Sequence, residues 1–311
     1  MGTVMGIDIG LVLLLFAAVV IVVVLTRRAR KLDVDESLVP TVRSVTRRVR
    51  LRNVIALVAT LALAAYFLYA PPRYPDPGLV LFSAPVITGC IAIVFFVIVP
   101  AFADPAGRRM AELTPRTFFS FATHRAVALA AGFGAAVVVT CVILGLIAQP
   151  NGQSFMYDYT TADWRFGGGP FPGFFYSTPV LVAVGVLAAA TVFATLRVSS
   201  ARMPSDETLR EADATLRRLA VSVILRTATA AYALTLAGLI AASAAIHSTV
   251  NFGIAENAPT DPRLVPLPFF QVLVPVEYAL AVLFLLTGLA FATGAVTNAL
   301  RTPLALRAVA A

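Results

Sequence analysis

Apolar residues run along this chain in seven long blocks, near 7–26, 53–70, 79–102, 126–148, 178–197, 226–247 and 272–297, each almost free of charge. An apolar run of about eighteen residues can cross a hydrocarbon core about 30 Å thick as a helix. The pattern predicts an all-α bundle of seven transmembrane helices forming a single domain over 1–311. The longest connections hold about 30 residues, too few for an independent core.

The polar positions between the blocks carry a second pattern. Of the 24 Lys+Arg residues, all but Arg73, Arg165 and Arg263 fall on alternate connections. Lys/Arg bias in short loops decides which side of the membrane stays cytoplasmic. The split predicts an N-terminus outside, a C-terminus inside, and a multi-pass protein of the plasma membrane. The inner segments hold 21 basic and nine acidic residues, the outer ones three basic and seven acidic, so a net charge of +8 divides into +12 inside and −4 outside. Basicity is therefore read as topology and as attraction to anionic inner-leaflet lipid, about 1 kcal/mol per near-surface cation. Nucleic acid is not an expected partner. A mean hydropathy of +0.88, with 59% hydrophobic and 13% charged residues, agrees, since charged residues make up about a quarter of a soluble domain.

The first block has no basic flank before it, and its basic run, RRARK at 27–31, follows it. That order predicts a retained anchor rather than a cleaved signal peptide. Segment 27–52 is the most basic, with a break expected at Pro40. Beyond it Arg43, Arg47, Arg48, Arg50 and Arg52 surround a stripe of Val42, Val45 and Val49 at helical spacing. Two readings stand: an interfacial helix against anionic lipid, or a solvated polybasic linker that only sets topology.

The other six blocks form three helical hairpins, beginning at Arg52, Arg125 and Arg226. Their returning halves read LFSAPVITG, FYSTPVLVA and QVLVPVEYA, which aligns Pro85, Pro179 and Pro275, each expected in a first helical turn. A one-plus-three-hairpins repeat would explain the match, and so would topology and helix-start proline alone. Within 199–225, Ser205, Asp206 and Glu207 predict a helix start, with Arg217 and Arg218 late in the helix. Asp213 and Arg217 are spaced to pair. The apolar edge Leu209, Ala212, Leu216 and Leu219 belongs to a helix that runs on into the sixth block, docks on the inner loops or receives a partner. Ala233, Ala237, Ala241 and Ala245 recur every fourth residue, a spacing that lets helices approach closely, within the chain or between two copies.

No Asp, Glu, Lys or Arg lies deep within a block. Glu277 comes nearest, either as a functional carboxylate or as a residue suiting the helix N-terminus after Pro275. Proton-coupled transport thus lacks its usual midplane carboxylate, while sodium coupling through backbone carbonyls stays open. Lys31, the only lysine, is in a loop, which excludes a retinal Schiff base. His124 and His247 belong to opposite membrane faces, which excludes bis-histidine haem. Hydrolase, zinc-peptidase and Walker motifs are absent. No cofactor or metal is expected, and Cys90 and Cys141 are read as packing residues.

The outer face holds what chemistry remains. Loop 149–178 carries Trp164 among many aromatics, with Asp158, Asp163 and Arg165, and loop 248–271 adds Glu256. With His247 and Glu277 these form the candidate ligand or partner site. The aromatics fit an interfacial belt as well as a lid, and an enzyme here would require histidine and carboxylate in contact. The stretch TADWRFGGGPFPGFFYSTPVL, together with the hairpin layout, resembles multi-pass membrane proteins of actinobacteria, a group to which we attach no activity. The resemblance implies the membrane architecture and brings over no functional residue. The reading that follows is a non-enzymatic interaction or accessory subunit with a membrane-protein partner. Its alternative is a permease or small-molecule binder using the outer face.

Overall fold

Among the described residues six α-helices follow one another: α1 (Val39–Tyr69), α2 (Pro77–Val94), α3 (His124–Ile147), α4 (Phe174–Ser200), α5 (Glu207–Asn257) and α6 (Pro268–Leu300). The computed structural model describes residues 31–35, 39–69, 77–98, 118–159, 164–201, 204, 207–257, 267–300 and 305–309. The predicted first span at 7–26 lies outside the described residues, as do Asp163 and the expected cap Ser205. Five helices, all but α2, are long and apolar enough to cross a membrane, and α2 with the tight turn after it is a shorter apolar helix, Phe82–Val97. This is the architecture of a helical multi-pass membrane protein.

The helices are arranged around α5. In their most apolar windows 61% of α5 is buried, against 17% for α1 and α6. Ile224, Leu236 and Leu239 of α5 are enclosed by Val86 and Ile93 of α2, Val137 of α3, and Val180 and Leu187 of α4. The outer helices turn large apolar residues outward, among them Leu146, Val182, Val272 and Leu286, as a lipid solvent allows. Close approach to the hub relies on glycine. A Cβ on Gly89 of α2 would stand 2.8 Å from Ala231 Cβ, and one on Gly288 of α6 2.7 Å from Leu234 Cγ. The alanine row is split by this geometry: Ala233 and Ala237 are buried, and Ala245 is exposed.

Several local expectations change. Pro40 sits in the first turn of α1, where its missing N–H costs nothing, and the expected helical stretch follows it. Pro85, Pro179 and Pro275 lie inside their helices instead of at the start, because α4 and α6 begin four residues, and α2 two residues, before the predicted apolar runs. The helix predicted from Ser205 is continuous with the sixth block, giving α5 51 residues, about 76 Å of rise. It also docks: Leu209, Ala212 and Leu216 of α5 pack on Val42, Val45 and Val49 of α1. Both triplets are spaced by three and then four residues, the a-d-a pattern of a two-helix seam.

Four short strands depart from a purely helical picture. β1 (Lys31–Asp35) pairs in parallel with β4 (Ala305–Val309), and β2 (Phe155–Tyr159) pairs antiparallel with β3 (Trp164–Gly168). The second pair is a hairpin whose residues alternate between faces. Phe155, Tyr157 and Phe166 lie over Val250 and Ile254 of α5 and Phe270 of α6, while Met156 and Asp158 are exposed.

Candidate functional site

The hairpin end of the bundle contains the one buried polar cluster that joins α5 to α6 through a carboxylate among the described residues. Ser243 and His247 are four residues apart on α5, so they share a face. Opposite them on α6 stands Glu277. Ser243 Oγ donates to Glu277 Oε1 at 2.9 Å, and His247 Nδ1 shares a hydrogen bond with Oε2 at 2.9 Å. The imidazole is 4% exposed and the carboxylate 13%. Both carboxylate oxygens are thereby engaged by a side chain of α5, which offsets part of the cost of burying the group.

An aromatic cover encloses the histidine. Phe155 of β2 meets it edge-on with ring centroids 4.8 Å apart, Phe270 of α6 lies at 5.6 Å and Phe171 at 5.8 Å. Local turn chemistry holds the cover in place. Asn151 Oδ1 accepts from the backbone N–H of Gln153 and Ser154. Gly152 adopts φ +65°, and a side chain there would run into the backbone nitrogen of Phe175 at 2.8 Å, so glycine is required on both grounds.

The predicted outer residues divide between this cluster and the surface. Asp158 and Arg165 form an ion pair across the hairpin at 3.1 Å, with side chains 61% and 74% exposed, and such a pair contributes little. Trp164 is the first residue of β3, in register with Tyr159. Glu256 is exposed on the last turn of α5. Glu277 is nine residues past the start of α6, about 13 Å along its axis, so it is not at the helix N-terminus and the capping role does not apply.

The opposite end is built from arginine. The Arg52 guanidinium donates from Nη1 to Ile98 O at 2.9 Å, binds Asn53 Oδ1, and lies 4.5 Å from the centre of the Phe96 ring. Arg217 bonds Asp213 Oδ2 at 2.7 Å, and its Nη1 donates to Val198 O and Ala201 O. Asn53 Nδ2 donates to Ala299 O at 2.8 Å. The carbonyls at the C-terminal ends of α2, α4 and α6 are thereby each met by a side chain from another helix, which satisfies groups the helix itself leaves open. Arg43, Arg47, Arg48 and Arg50 are exposed, and Arg52 differs from them in turning inward.

Of these features, Ser243 and the inward turn of Arg52 escaped sequence reasoning, whereas the Asp213–Arg217 pair follows its predicted spacing. The i, i+4 spacing of Ser243 and His247 was the available signal. As chemistry, the hairpin-end cluster is not a hydrolytic triad: the serine hydroxyl points its hydrogen at the carboxylate, so the imidazole is not placed to activate it. Three or more His, Cys, Asp or Glu side chains able to hold a metal do not come together among the described residues. No model of a known protein family, no curated protein and no solved structure matches the chain.

Proposed function

We propose that the protein is a non-enzymatic interaction or accessory subunit that crosses the plasma membrane seven times, with the arginine end in the cytoplasm and the hairpin end outside. The single observation behind this reading is how little space the bundle encloses. Its best-formed cavities among the described residues measure about 20 and 10 Å³, each enough for about one water. Both lie beside Arg52 at the arginine end. At the hairpin end Ser243 Oγ, His247 Nδ1 and both Glu277 oxygens bond one another, and phenyl rings surround the imidazole. A surface that binds a partner fits such an interior better than a route for solute. The arginine distribution supports the orientation.

Isolation of the full chain in mild detergent is expected to recover a stable membrane-protein partner. Replacing residues 155–168 by a short Gly/Ser linker is expected to release it. Recovery of the protein alone, together with solute uptake by vesicles containing it, would overturn the proposal in favour of a permease. The buried His247–Glu277 pair favours that second reading, since ionisable groups held among membrane helices commonly serve transport. In that case Glu277→Gln lowers the uptake rate, whereas an accessory subunit shows no uptake to lower.

A further inference from the structure

Arg43, Arg47 and Arg50 are separated by four and three residues, so they form one row along α1. All three are exposed, and none has an ion-pair partner among the described residues. Continuing the same face by helical steps leads to Val54, Val58 and Leu61, which are 38%, 60% and 49% exposed. Exposed valine and leucine in succession on a membrane-crossing helix mark its lipid-facing side. Among the described residues, the arginine row therefore stands directly above a lipid-contact stripe and not above another part of the protein.

Distance along the helix sets what the row can meet. At 1.5 Å per residue, Arg50 lies about 6 Å and Arg47 about 10 Å beyond Val54. The polar headgroup layer adds about 5–7 Å to each side of the hydrocarbon core, so both guanidinium groups reach it. The row is held at this height. Its opposite flank, Val42, Val45 and Val49, is buried against α5, which keeps α1 from rolling or lying flat. The neighbouring carboxylate Asp213 is occupied by Arg217, and Arg52 is occupied by Ile98 O and Asn53 Oδ1.

We propose that Arg47 and Arg50 bind the phosphate of an anionic phospholipid whose acyl chains lie along Val54, Val58 and Leu61, while Arg43, about 16 Å beyond Val54, adds only longer-range attraction to the anionic surface. Guanidinium groups suit this role because their planar donors match phosphate oxygens. The proposal rests on the membrane reading of α1 and is independent of any accessory role.

Native mass spectrometry of the full chain in mild detergent, with phosphatidylglycerol or phosphatidylcholine added, tests it. The protein is expected to retain phosphatidylglycerol about tenfold more strongly, and the preference should fall as salt rises. Combined Arg43→Gln, Arg47→Gln and Arg50→Gln should abolish the preference, while lysine at all three positions should keep most of it. Arg48→Gln, on a different face of the helix, should change nothing. Equal retention of the two lipids by the unaltered protein would overturn the proposal, as would a folded glutamine variant that keeps the preference. Should the glutamine variant fail to fold, the salt titration and the lysine variant decide: salt-insensitive binding overturns the proposal. Loss of the partner in the detergent isolation leaves all of these outcomes unchanged.

Discussion

At the scale of single residues, Glu277 has the most to lose by substitution. It is the acceptor for both Ser243 and His247, so replacing it strands two groups in a place without water. Glu277→Gln keeps an acceptor oxygen and should cost about 1 kcal/mol. Glu277→Leu leaves the hydroxyl and the imidazole without a partner and should cost about 3 kcal/mol. Thermal unfolding in detergent measures the difference, and equal losses for the two variants would mean the contact is not stabilising. His247 and Glu277 could each be picked out in the sequence as a polar residue at a span end. Their contact could not, because 30 residues separate them and serine gives no signal until its acceptor is known. Arg52 teaches the converse. Grouped by sequence with four exposed arginines, it instead serves Ile98 O, and only the position of a distant helix end shows that.

At the scale of elements, glycine governs how closely helices meet the hub. Gly288→Ala places a methyl group 2.7 Å from Leu234 Cγ, and overpacking of this kind costs about 1–3 kcal/mol. Gly185 has open space where a Cβ would go, so Gly185→Ala should be neutral or stabilise by up to about 1 kcal/mol. Only the Gly288 variant should lose stability, and an equal loss at Gly185 would remove close packing as the cause. Helices were legible here because lipid demands long apolar runs with internally bonded backbone. The β2–β3 hairpin was present as an alternation, Phe155 and Tyr157 inward against Met156 and Asp158 outward, but a loop rich in aromatics has a sufficient explanation as an interfacial belt. The internal prolines were misplaced for a related reason: the aromatic residues that lead into α4 and α6, Phe174, Phe175 and Tyr176 in one and Phe269 and Phe270 in the other, belong to the helices but read in the sequence as parts of the preceding loops.

At the scale of the whole molecule, orientation is the feature open to direct test. With Cys90 and Cys141 replaced, a cysteine introduced at Asp158 or Glu256 should react with a membrane-impermeant maleimide in intact cells. One introduced at Ser44 should react only after permeabilisation. The reverse pattern would invert the topology. What composition does not advertise is which helix lies at the centre. The α5 window has a mean hydropathy of 1.7, below the 2.5, 2.3 and 2.2 of α3, α4 and α6. The most enclosed helix is thus less apolar than three of its neighbours, because its surroundings are protein and theirs are lipid. This ordering also bears on synthesis. Helices α1 to α4 leave the ribosome before α5 does, and the inward faces of α2, α3 and α4 have no hub to close on until residue 257 has been made. A nascent chain halted before that point leaves the inward faces of α2, α3 and α4 without the helix they pack on. Those faces stay open to lipid until α5 arrives, so the order of synthesis places the closing of the bundle core near the end of translation.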